Sequence, residues 1–333
     1  MLKVLIIGCG NIAGSFDADI EAEELPRTHA GAYAAHGQFS MQACIEPDGI
    51  KRAAFMARWG ISTGYESMEQ LEVANAQGKN LTCFDVVSVC SPTSTHYDHV
   101  VQALRLSPKL IFCEKPICDD LVKAQHLVRR CSDQGVQLAV NHNRRWDPDV
   151  RKFRDELKLG KWGLVRAVMG QYNKGMLNNG SHMIDLLQDF LGPLSLIDCG
   201  KPVFDYSLSD PSIPALLVNG NGVHLTLSCG HASDYSLFEL QWVTQRGVVA
   251  MEDGGLLWRT RLTTPSPHFL GYSVLAESKF SVGRYLQTTT NAVENIYHAI
   301  TSGQALASTG VSALETQIIC QQMFDRSMQA SRT

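Results

Sequence analysis

Short apolar runs alternate with amphipathic segments along the first half of the chain. Runs of strand length, bounded by Gly, Pro, Asp and Ser, lie at 2–7, 39–46, 85–90, 110–113 and 136–140. Helices are predicted between them at 29–36, 50–59 and 95–106, and a further helix carries Leu121, Ala124, Leu127 and Val128 on one face. This alternation predicts right-handed βαβ units and therefore a doubly wound parallel sheet of the Rossmann type.

The pattern changes after Arg145. Strands are now closer together and several are separated by Gly, Asn and Asp turns, at 163–172, 223–229, 236–243 and 247–252. Such spacing favours an antiparallel sheet, and helices are predicted at 181–191, 290–300 and 313–328. We therefore predict a dinucleotide-binding domain at 1–143 and an α+β domain at 144–333.

Composition narrows the functional class. The 333 residues are 44% hydrophobic and 19% charged, with a net charge of −4, so no basic excess exists to hold nucleic acid. No apolar stretch reaches the roughly 18 residues of a membrane span, and the first apolar run breaks at Gly8, unlike a signal peptide. None of the ten cysteines forms a C-x-x-C pair. We expect a soluble protein of the cytoplasm that binds neither nucleic acid nor membranes.

A glycine loop follows the first strand. Gly8-x-Gly10-x-x-Ala13, with Asn11 and Ile12 between, is expected to open a helix whose N–H groups face a pyrophosphate. The glycines allow a tight turn and close approach of the phosphates, and Ala13 is small enough for helix–strand packing. A structural glycine turn or an S-adenosylmethionine site would show a similar pattern.

Glu46 is placed to select the cofactor. It ends the second predicted strand, where a carboxylate can hold ribose hydroxyls and repel a 2′-phosphate, so NAD is favoured. Its distance from Gly8 exceeds the usual interval of about 20 residues, which we attribute to an inserted loop at 17–27. A solvated strand-end carboxylate is the alternative, and Lys51 and Arg52 keep NADP open.

Glu114-Lys115-Pro116 closes the strand at 110–113. Open α/β sheets bind ligands at this end of their strands, and a lysine there can donate a proton or hydrogen bond to a reacting oxygen. A lone lysine at a strand end is usually only a surface charge.

Four motifs occur one after another along the chain. The glycine loop, Ser91-Pro92-Thr93 with His96, Glu114-Lys115-Pro116, and Gly180-Ser181-His182-Met183-Ile184-Asp185 follow one another. This order and spacing resembles the glucose–fructose oxidoreductase / inositol dehydrogenase (Gfo/Idh/MocA) family. The resemblance implies a pyridine-dinucleotide domain, then a domain with a large open sheet, and a sugar, nucleotide sugar or cyclitol as substrate. It also implies a homodimer or homotetramer formed through the C-terminal sheet.

The resemblance also implies roles for individual residues. Lys115 and His182 match the active-site lysine and histidine, and Asp185 matches the acidic residue one turn later. Many family dehydrogenases carry Asp four residues before the histidine, where this chain has Asn178, which cannot take a proton. Other residues are expected at the cofactor (Ser91, Pro92, Thr93, His96, Glu114) or at the substrate (Tyr172, Asn173, Asn178, Asp185). Arg144 is expected either to attract an anionic group of the substrate or to fix the domain junction by hydrogen bonds.

Two mechanisms and two other classes of protein remain open, the classes being a dinucleotide or sugar sensor and a glycosidase that uses NAD transiently. His182 can accept the carbinol proton while Lys115 stabilises the alkoxide, or the two can exchange roles. A protein that only senses a dinucleotide or a sugar would use the same fold. His96-x-x-His99 has helical spacing, but no third ligand cluster accompanies it, so we expect no metal.

Overall fold

The computed structural model of the chain describes residues 1–19, 24–77 and 83–330. It divides into two compact units, which are described separately below. The first comprises Met1–Trp146 and Leu286–Leu314, and the second comprises Asp147–Tyr285 and Glu315–Thr333. Within the described residues, no helix combines the length and the apolar character that crossing a bilayer would require.

The first unit contains a six-stranded parallel sheet, as the alternating pattern predicts. Its strands are β1 Leu2–Ile7, β2 Phe39–Ile45, β3 Thr63–Tyr65, β4 Val86–Val89, β5 Leu110–Cys113 and β6 Gln137–Val140. They are arranged in the order β3-β2-β1-β4-β5-β6. Val4, Leu5 and Ile6 are fully buried in succession, because helices cover both faces of a doubly wound sheet. The prediction of a Rossmann-type sheet is confirmed.

The helices lie close to their predicted positions, with two additions that the apolar pattern did not reveal, at 68–76 and 148–158. They are α1 His29–His36, α2 Gly49–Trp59, α3 Met68–Ala76, α4 Thr93–Leu104, α5 Leu121–Asp133, α6 Pro148–Lys158, α7 Ser181–Leu191, α8 Thr288–Ser302 and α9 Gly310–Ala330. Several begin at a side chain that accepts hydrogen bonds from the first-turn amides, as Thr28, Asp48, Ser67, Asp120 and Asp147 do. Such caps fix where each helix starts.

The glycine loop does not open a helix directly, contrary to the prediction. A hydrogen-bonded turn and a short 3₁₀ segment, Ser15–Asp17, follow it instead. The carbonyls of Ile12 and Ala13 accept hydrogen bonds from the amides of His29 and Ala30. Helix α1 is therefore hydrogen-bonded to the end of the glycine loop. In the sequence, an insertion separates the loop from α1. Residues 20–23 of the predicted insertion at 17–27 lie outside the described part of the chain.

The second unit contains a nine-stranded sheet. Its strands are β7 Val165–Tyr172, β8 Leu194–Cys199, β9 Ala215–Asn219, β10 His224–Cys229, β11 Phe238–Thr244, β12 Gly247–Glu252, β13 Leu257–Pro265, β14 Ser273–Leu275 and β15 Lys279–Val282. The order is β14-β13-β12-β11-β7-β10-β9-β8, and β15 also pairs with β13. Every pairing is antiparallel except that of β7 with β10. This confirms the predicted large, mostly antiparallel sheet.

Alternation along β11 shows which face of this sheet is covered. Phe238, Leu240 and Trp242 are buried and the residues between them are half-exposed, as expected for a sheet packed on one side. Trp242 lies 5.0 Å from Phe153 of α6, measured between ring centroids, and stacks on Trp258 of β13 at 6.3 Å. Aromatic packing of this kind holds α6 against the sheet.

The single boundary placed at 143 does not describe the whole division, because the chain returns to the first unit at residue 286. Asn295 of α8 connects this segment to the end of the first stretch. Its Oδ1 accepts hydrogen bonds from Trp146 Nε1 and from the Ala307 amide, both at 2.9 Å, and its Nδ2 donates to the Ala305 carbonyl at 3.0 Å. The sequence does not indicate that a polar residue inside an amphipathic helix will form hydrogen bonds with residues far along the chain.

Replacing Asn295 by Ala should destabilise the first unit. The buried N–H groups of Trp146 and Ala307 would lose their acceptor, at a cost of about 1–3 kcal/mol for each unsatisfied group. Thermal unfolding followed by tryptophan fluorescence should give a lower midpoint than in the parent. Thr301→Ala is the control, because the exposed Thr301 hydroxyl donates only to Tyr297 of the same helix. Equal midpoints for Asn295→Ala and the parent would contradict this account.

Candidate active site

The loops that carry the predicted dinucleotide motifs meet at one edge of the parallel sheet. The carboxyl ends of β1, β2 and β4 border a pocket of about 590 Å³. Among the residues predicted for the cofactor, Gly8, Gly10, Glu46, Ser91 and Pro92 line it. Because neighbouring parallel strands end on the same side, residues far apart in sequence form one crevice.

Gly8 and Gly10 serve different purposes in the loop. A Cβ on Gly8, whose φ is +87°, would lie 2.7 Å from the Ser91 amide nitrogen, so only glycine lets β1 and β4 end so close together. Around Gly10, no described atom outside Gly10 and its two chain neighbours lies within 4 Å of the position that a Cβ would take. That open space over the loop fits a pyrophosphate approaching the backbone.

Glu46 directly follows β2 and contacts the glycine loop. Its Oε2 accepts a hydrogen bond from the Cys9 amide at 2.9 Å, and its Oε1 accepts one from the Asp48 amide at 3.1 Å. The Arg52 guanidinium donates to the main-chain carbonyl of Glu46. A carboxylate has about four acceptor sites, so two remain on Glu46 for the hydroxyls of a ligand.

His96 lies behind the pocket rather than in it. It is 1% exposed, with Nδ1 2.9 Å from the Pro116 carbonyl and Nε2 2.8 Å from the Ser91 carbonyl. It therefore joins the loop after β4 to the turn after β5. Thr93, also predicted for the cofactor, is the first residue of α4, behind Pro92.

The pocket has further walls that the motifs did not indicate. The short strand β3 and the start of α3 were missing from the predicted elements, and they bring Glu66, Ser67, Met68 and Glu69 to it. His99 also lines it, 2.8 Å from Ser91 Oγ, and burial, aided by His96, lowers the pKa of this histidine. A three-residue strand gives almost no periodic signal, which explains the omission. Asn11 lines a neighbouring cavity of about 440 Å³ beside the glycine loop.

Glu114, Lys115 and Pro116 follow β5, and the peptide bond between Lys115 and Pro116 is cis. Lys115 is half-buried. Glu114 Oε1 lies 2.9 Å from His29 Nε2 and 2.6 Å from Asn141 Nδ2. Burial raises the pKa of Glu114, but the hydrogen bond and charge of His29, with Asn141 and Lys115, outweigh it and leave this pKa below its usual value.

In the second unit, His182 lies in the first turn of α7 and Asp185 follows one turn later. His182 is 9% exposed and Asp185 is 1% exposed. Asp185 Oδ1 lies 3.4 Å from Thr316 Oγ1, which is also 2.9 Å from Gln188 Oε1. The predicted helix at 181–191 is confirmed, and one turn of π-helix, Met176–Gly180, precedes it.

Asn178 lies in this π-turn, which two hydrogen bonds to one carboxylate fix in place. Asp210 accepts from the amides of Leu177 at 2.7 Å and of Asn178 at 2.9 Å. The Asn178 side chain donates from Nδ2 to the Lys174 carbonyl at 3.0 Å. An ionised carboxylate could not make that bond, so the turn depends on the amide of Asn178.

Tyr172 and Asn173 are both fully buried at the end of β7. The Tyr172 hydroxyl donates to the Ile213 carbonyl and accepts from the Ile213 amide, both at 2.8 Å, and burial raises its pKa. Asn173 accepts from the Leu237 amide and donates to the Tyr235 carbonyl. These bonds support a role in holding the strand end rather than in touching a substrate.

Arg144 is buried in the 3₁₀ turn Asn143–Trp146 of the first unit. The adjacent Arg145 is buried too, and its Nη1 donates to the Ala307 carbonyl at 3.3 Å. Buried guanidinium groups are uncommon unless they are paired. The Arg145 guanidinium has a partner in the Ala307 carbonyl, and this bond supports the 3₁₀ turn.

Two known enzymes are similar to most of this chain. An inositol 2-dehydrogenase of Rhizobium meliloti is 27% identical over 251 residues, which is 69% of this chain and 74% of the relative. A D-glucoside 3-dehydrogenase of Escherichia coli is 24% identical over 273 residues, covering 77% of this chain and 69% of the relative.

A solved structure shows the same fold over nearly the whole length. It is a 3-ketoreductase from Actinomadura kijaniata in complex with TDP-benzene and NADP, with a TM-score of 0.75 and 18% sequence identity. The match covers 98% of this chain and 97% of that one. Residues 2–142 match the family model described as an oxidoreductase family with an NAD-binding Rossmann fold. The glycine loop and the carboxyl-edge pocket agree with this match, so residues 2–142 are similar to the Gfo/Idh/MocA oxidoreductase family.

Proposed function

We propose that this protein is an NAD(P)-dependent dehydrogenase or reductase that interconverts a carbinol and a carbonyl group of a sugar, a nucleotide sugar or a cyclitol. One observation carries the proposal. Lys115 directly follows β5, at the same edge of the sheet as the dinucleotide pocket, and β4 alone separates β5 from β1. A dinucleotide whose pyrophosphate lies on the glycine loop after β1 can extend its nicotinamide toward β4 and β5.

Lys115 and His182 are the proposed acid–base groups. The bound nicotinamide supplies the hydride chemistry. Lys115 donates a hydrogen bond to the substrate oxygen and stabilises negative charge there. His182 takes the carbinol proton in oxidation and returns it in reduction. The exchange of these two roles is the alternative assignment.

The charges around the pocket support NAD over NADP. Glu46, Glu66 and Glu69 line it, against the single ammonium group of Lys51. A 2′-phosphate carries about two negative charges near neutral pH, by analogy with other phosphate monoesters, so these carboxylates would repel it. Arg52, a possible counter-charge in the sequence, already donates to the Glu46 carbonyl.

We propose two further properties. The second sheet leaves one face half-exposed along β11, and burying such a face supports a homodimer or homotetramer formed through it. All ten cysteines are free thiols, which supports a reducing compartment such as the cytoplasm.

The cofactor preference predicts the effect of Glu46→Gln. The variant keeps an acceptor for the Cys9 amide but loses the negative charge, so NADP should bind more tightly and the preference for NAD should shrink by about tenfold, or about 1.4 kcal/mol. Titration of both cofactors by tryptophan fluorescence measures this. Glu24→Gln, in an exposed ion pair with Arg27, is the matched control. Parent protein that binds NADP more tightly than NAD would contradict the preference.

The acid–base assignment predicts separate losses for the two residues. Lys115→Ala and His182→Ala should each retain cofactor affinity and lose roughly 10²–10⁴ in turnover, the usual share of a positioned proton-transfer group. Sugars, nucleotide sugars and cyclitols are screened by absorbance of the reduced nicotinamide, and the variants are then compared on whichever substrate reacts.

Matched controls for this comparison lie elsewhere in each unit. Lys109→Ala removes an exposed lysine paired with Asp85, and His231→Ala removes an exposed histidine that contacts Ser233. Both should keep the parent rate. Normal turnover in Lys115→Ala would show that this lysine is structural, and cofactor binding without turnover of any substrate in the parent would favour a sensor.

A further inference from the structure

Both neighbours of Lys115 are held by a buried histidine, each from a different helix. His29, the first residue of α1, contacts the Glu114 side chain, and His96 of α4 contacts the Pro116 carbonyl. The main chain on the Pro116 side is thereby tied to the Ser91 loop. The Glu114 side chain is the other group beside Lys115, and the buried ring of His29 contacts its carboxylate.

His29 is completely buried and cannot turn away from Glu114. Its ring stacks on Phe112, with 4.3 Å between centroids and 24° between planes. Nε2 lies 2.9 Å from Glu114 Oε1, and Nδ1 lies 3.4 Å from Ser88 Oγ. Stacking and two polar contacts at opposite corners of the ring fix its orientation.

A network of polar groups lies behind His29. The Tyr33 hydroxyl lies 2.7 Å from Ser88 Oγ, and burial raises the pKa of Tyr33, so the phenol keeps its proton. Ser88 Oγ lies 3.4 Å from His29 Nδ1. Because an ionised carboxylate can only accept, His29 Nε2 is the donor in its 2.9 Å contact with Glu114.

Other titratable groups around Glu114 do not compete for this role. The thiols of Cys90 and Cys113 face it, and burial together with the Glu114 charge raises the pKa of both, so they remain neutral. Asn141 supplies a second, uncharged donor to the same oxygen. The charge of Lys115, the next residue in the chain, also contributes to the lowered pKa of Glu114.

We propose that His29 is a positioning residue for Lys115, acting through Glu114: it holds the carboxylate in place so that a fixed negative charge stands next to the Lys115 ammonium group. This inference rests on the role proposed above for Lys115. A flexible four-carbon side chain needs such support to keep one charge state and one direction. Without its donor from His29, the Glu114 carboxylate would be free to turn away from Lys115, and the negative charge that favours the ammonium form would act on it less strongly.

The test reads the ionisation of Lys115 directly, without substrate or cofactor. Lysines of the full chain are reductively methylated with ¹³C-formaldehyde, Lys115→Arg identifies the Lys115 signal, and NMR follows its titration. His29→Phe keeps the stacked ring but removes both nitrogens, and it should move the Lys115 midpoint to lower pH by about 0.5–1 unit. His29→Gln, which can still donate to Glu114, should restore most of the parent value.

A double-mutant cycle separates action through Glu114 from a general disturbance. Glu114→Gln should lower the midpoint as His29→Phe does, and the double variant should shift no further than Glu114→Gln alone. His36→Phe, at the other end of α1 and paired with Glu294, is the matched control and should leave the midpoint unchanged. His29→Leu replaces His29→Phe if the latter does not fold, as judged by near-UV circular dichroism.

An unchanged midpoint in the folded His29 deletion variant, or additive shifts in the cycle, would overturn the proposal. Activity gives an independent reading. With a reacting substrate, His29→Phe should reduce kcat at least tenfold with cofactor affinity unchanged, and His29→Gln should recover part of it. A parent without activity would contradict the proposed function alone, because the midpoint is measured regardless of turnover.

Discussion

The close approach of β1 and β4 is the constraint from which the rest of the first unit follows. A side chain at Gly8 would overlap the Ser91 backbone, so the two strands can be neighbours only because this position is glycine. Their adjacency puts the glycine loop, Glu46 and the Ser91 loop around one pocket and leaves β5, with Lys115, as the next strand. The absence of a side chain at Gly8 therefore determines where the glycine loop and Lys115 lie relative to each other.

Burial of polar groups is the second theme, and the structure satisfies them in connected sets. His96 joins the carbonyls of Ser91 and Pro116, while His29 and Asn141 share one oxygen of Glu114. Leaving a buried polar group without a partner costs more free energy than a typical hydrogen bond contributes to stability. Such networks consequently allow few alternative arrangements, which is the property needed around a group that transfers protons.

In the second unit, a carboxylate and main-chain amides form a comparable hydrogen-bonded set. Asp210 fixes the π-turn before α7, and the Asn178 amide closes it on the Lys174 carbonyl. The Asn178 N–H₂ group makes a bond that an aspartate at this position would break.

The sequence by itself determined the elements with strong periodicity and the positions of the motifs. Leu2–Ile7, Leu110–Cys113 and Ser181–Leu191 have the bounds that their apolar patterns predict, and Glu46 follows β2 within one residue of the predicted strand end. Local spacing suffices for these because each buries a continuous apolar face. The tertiary structure alone decided what depends on distant partners. It separated the glycine loop from α1, returned 286–314 to the first unit, and brought His29 to Glu114, 85 residues away. A hydrogen bond between remote residues leaves no periodic trace in either segment, so the pairing exists only once the chain has folded.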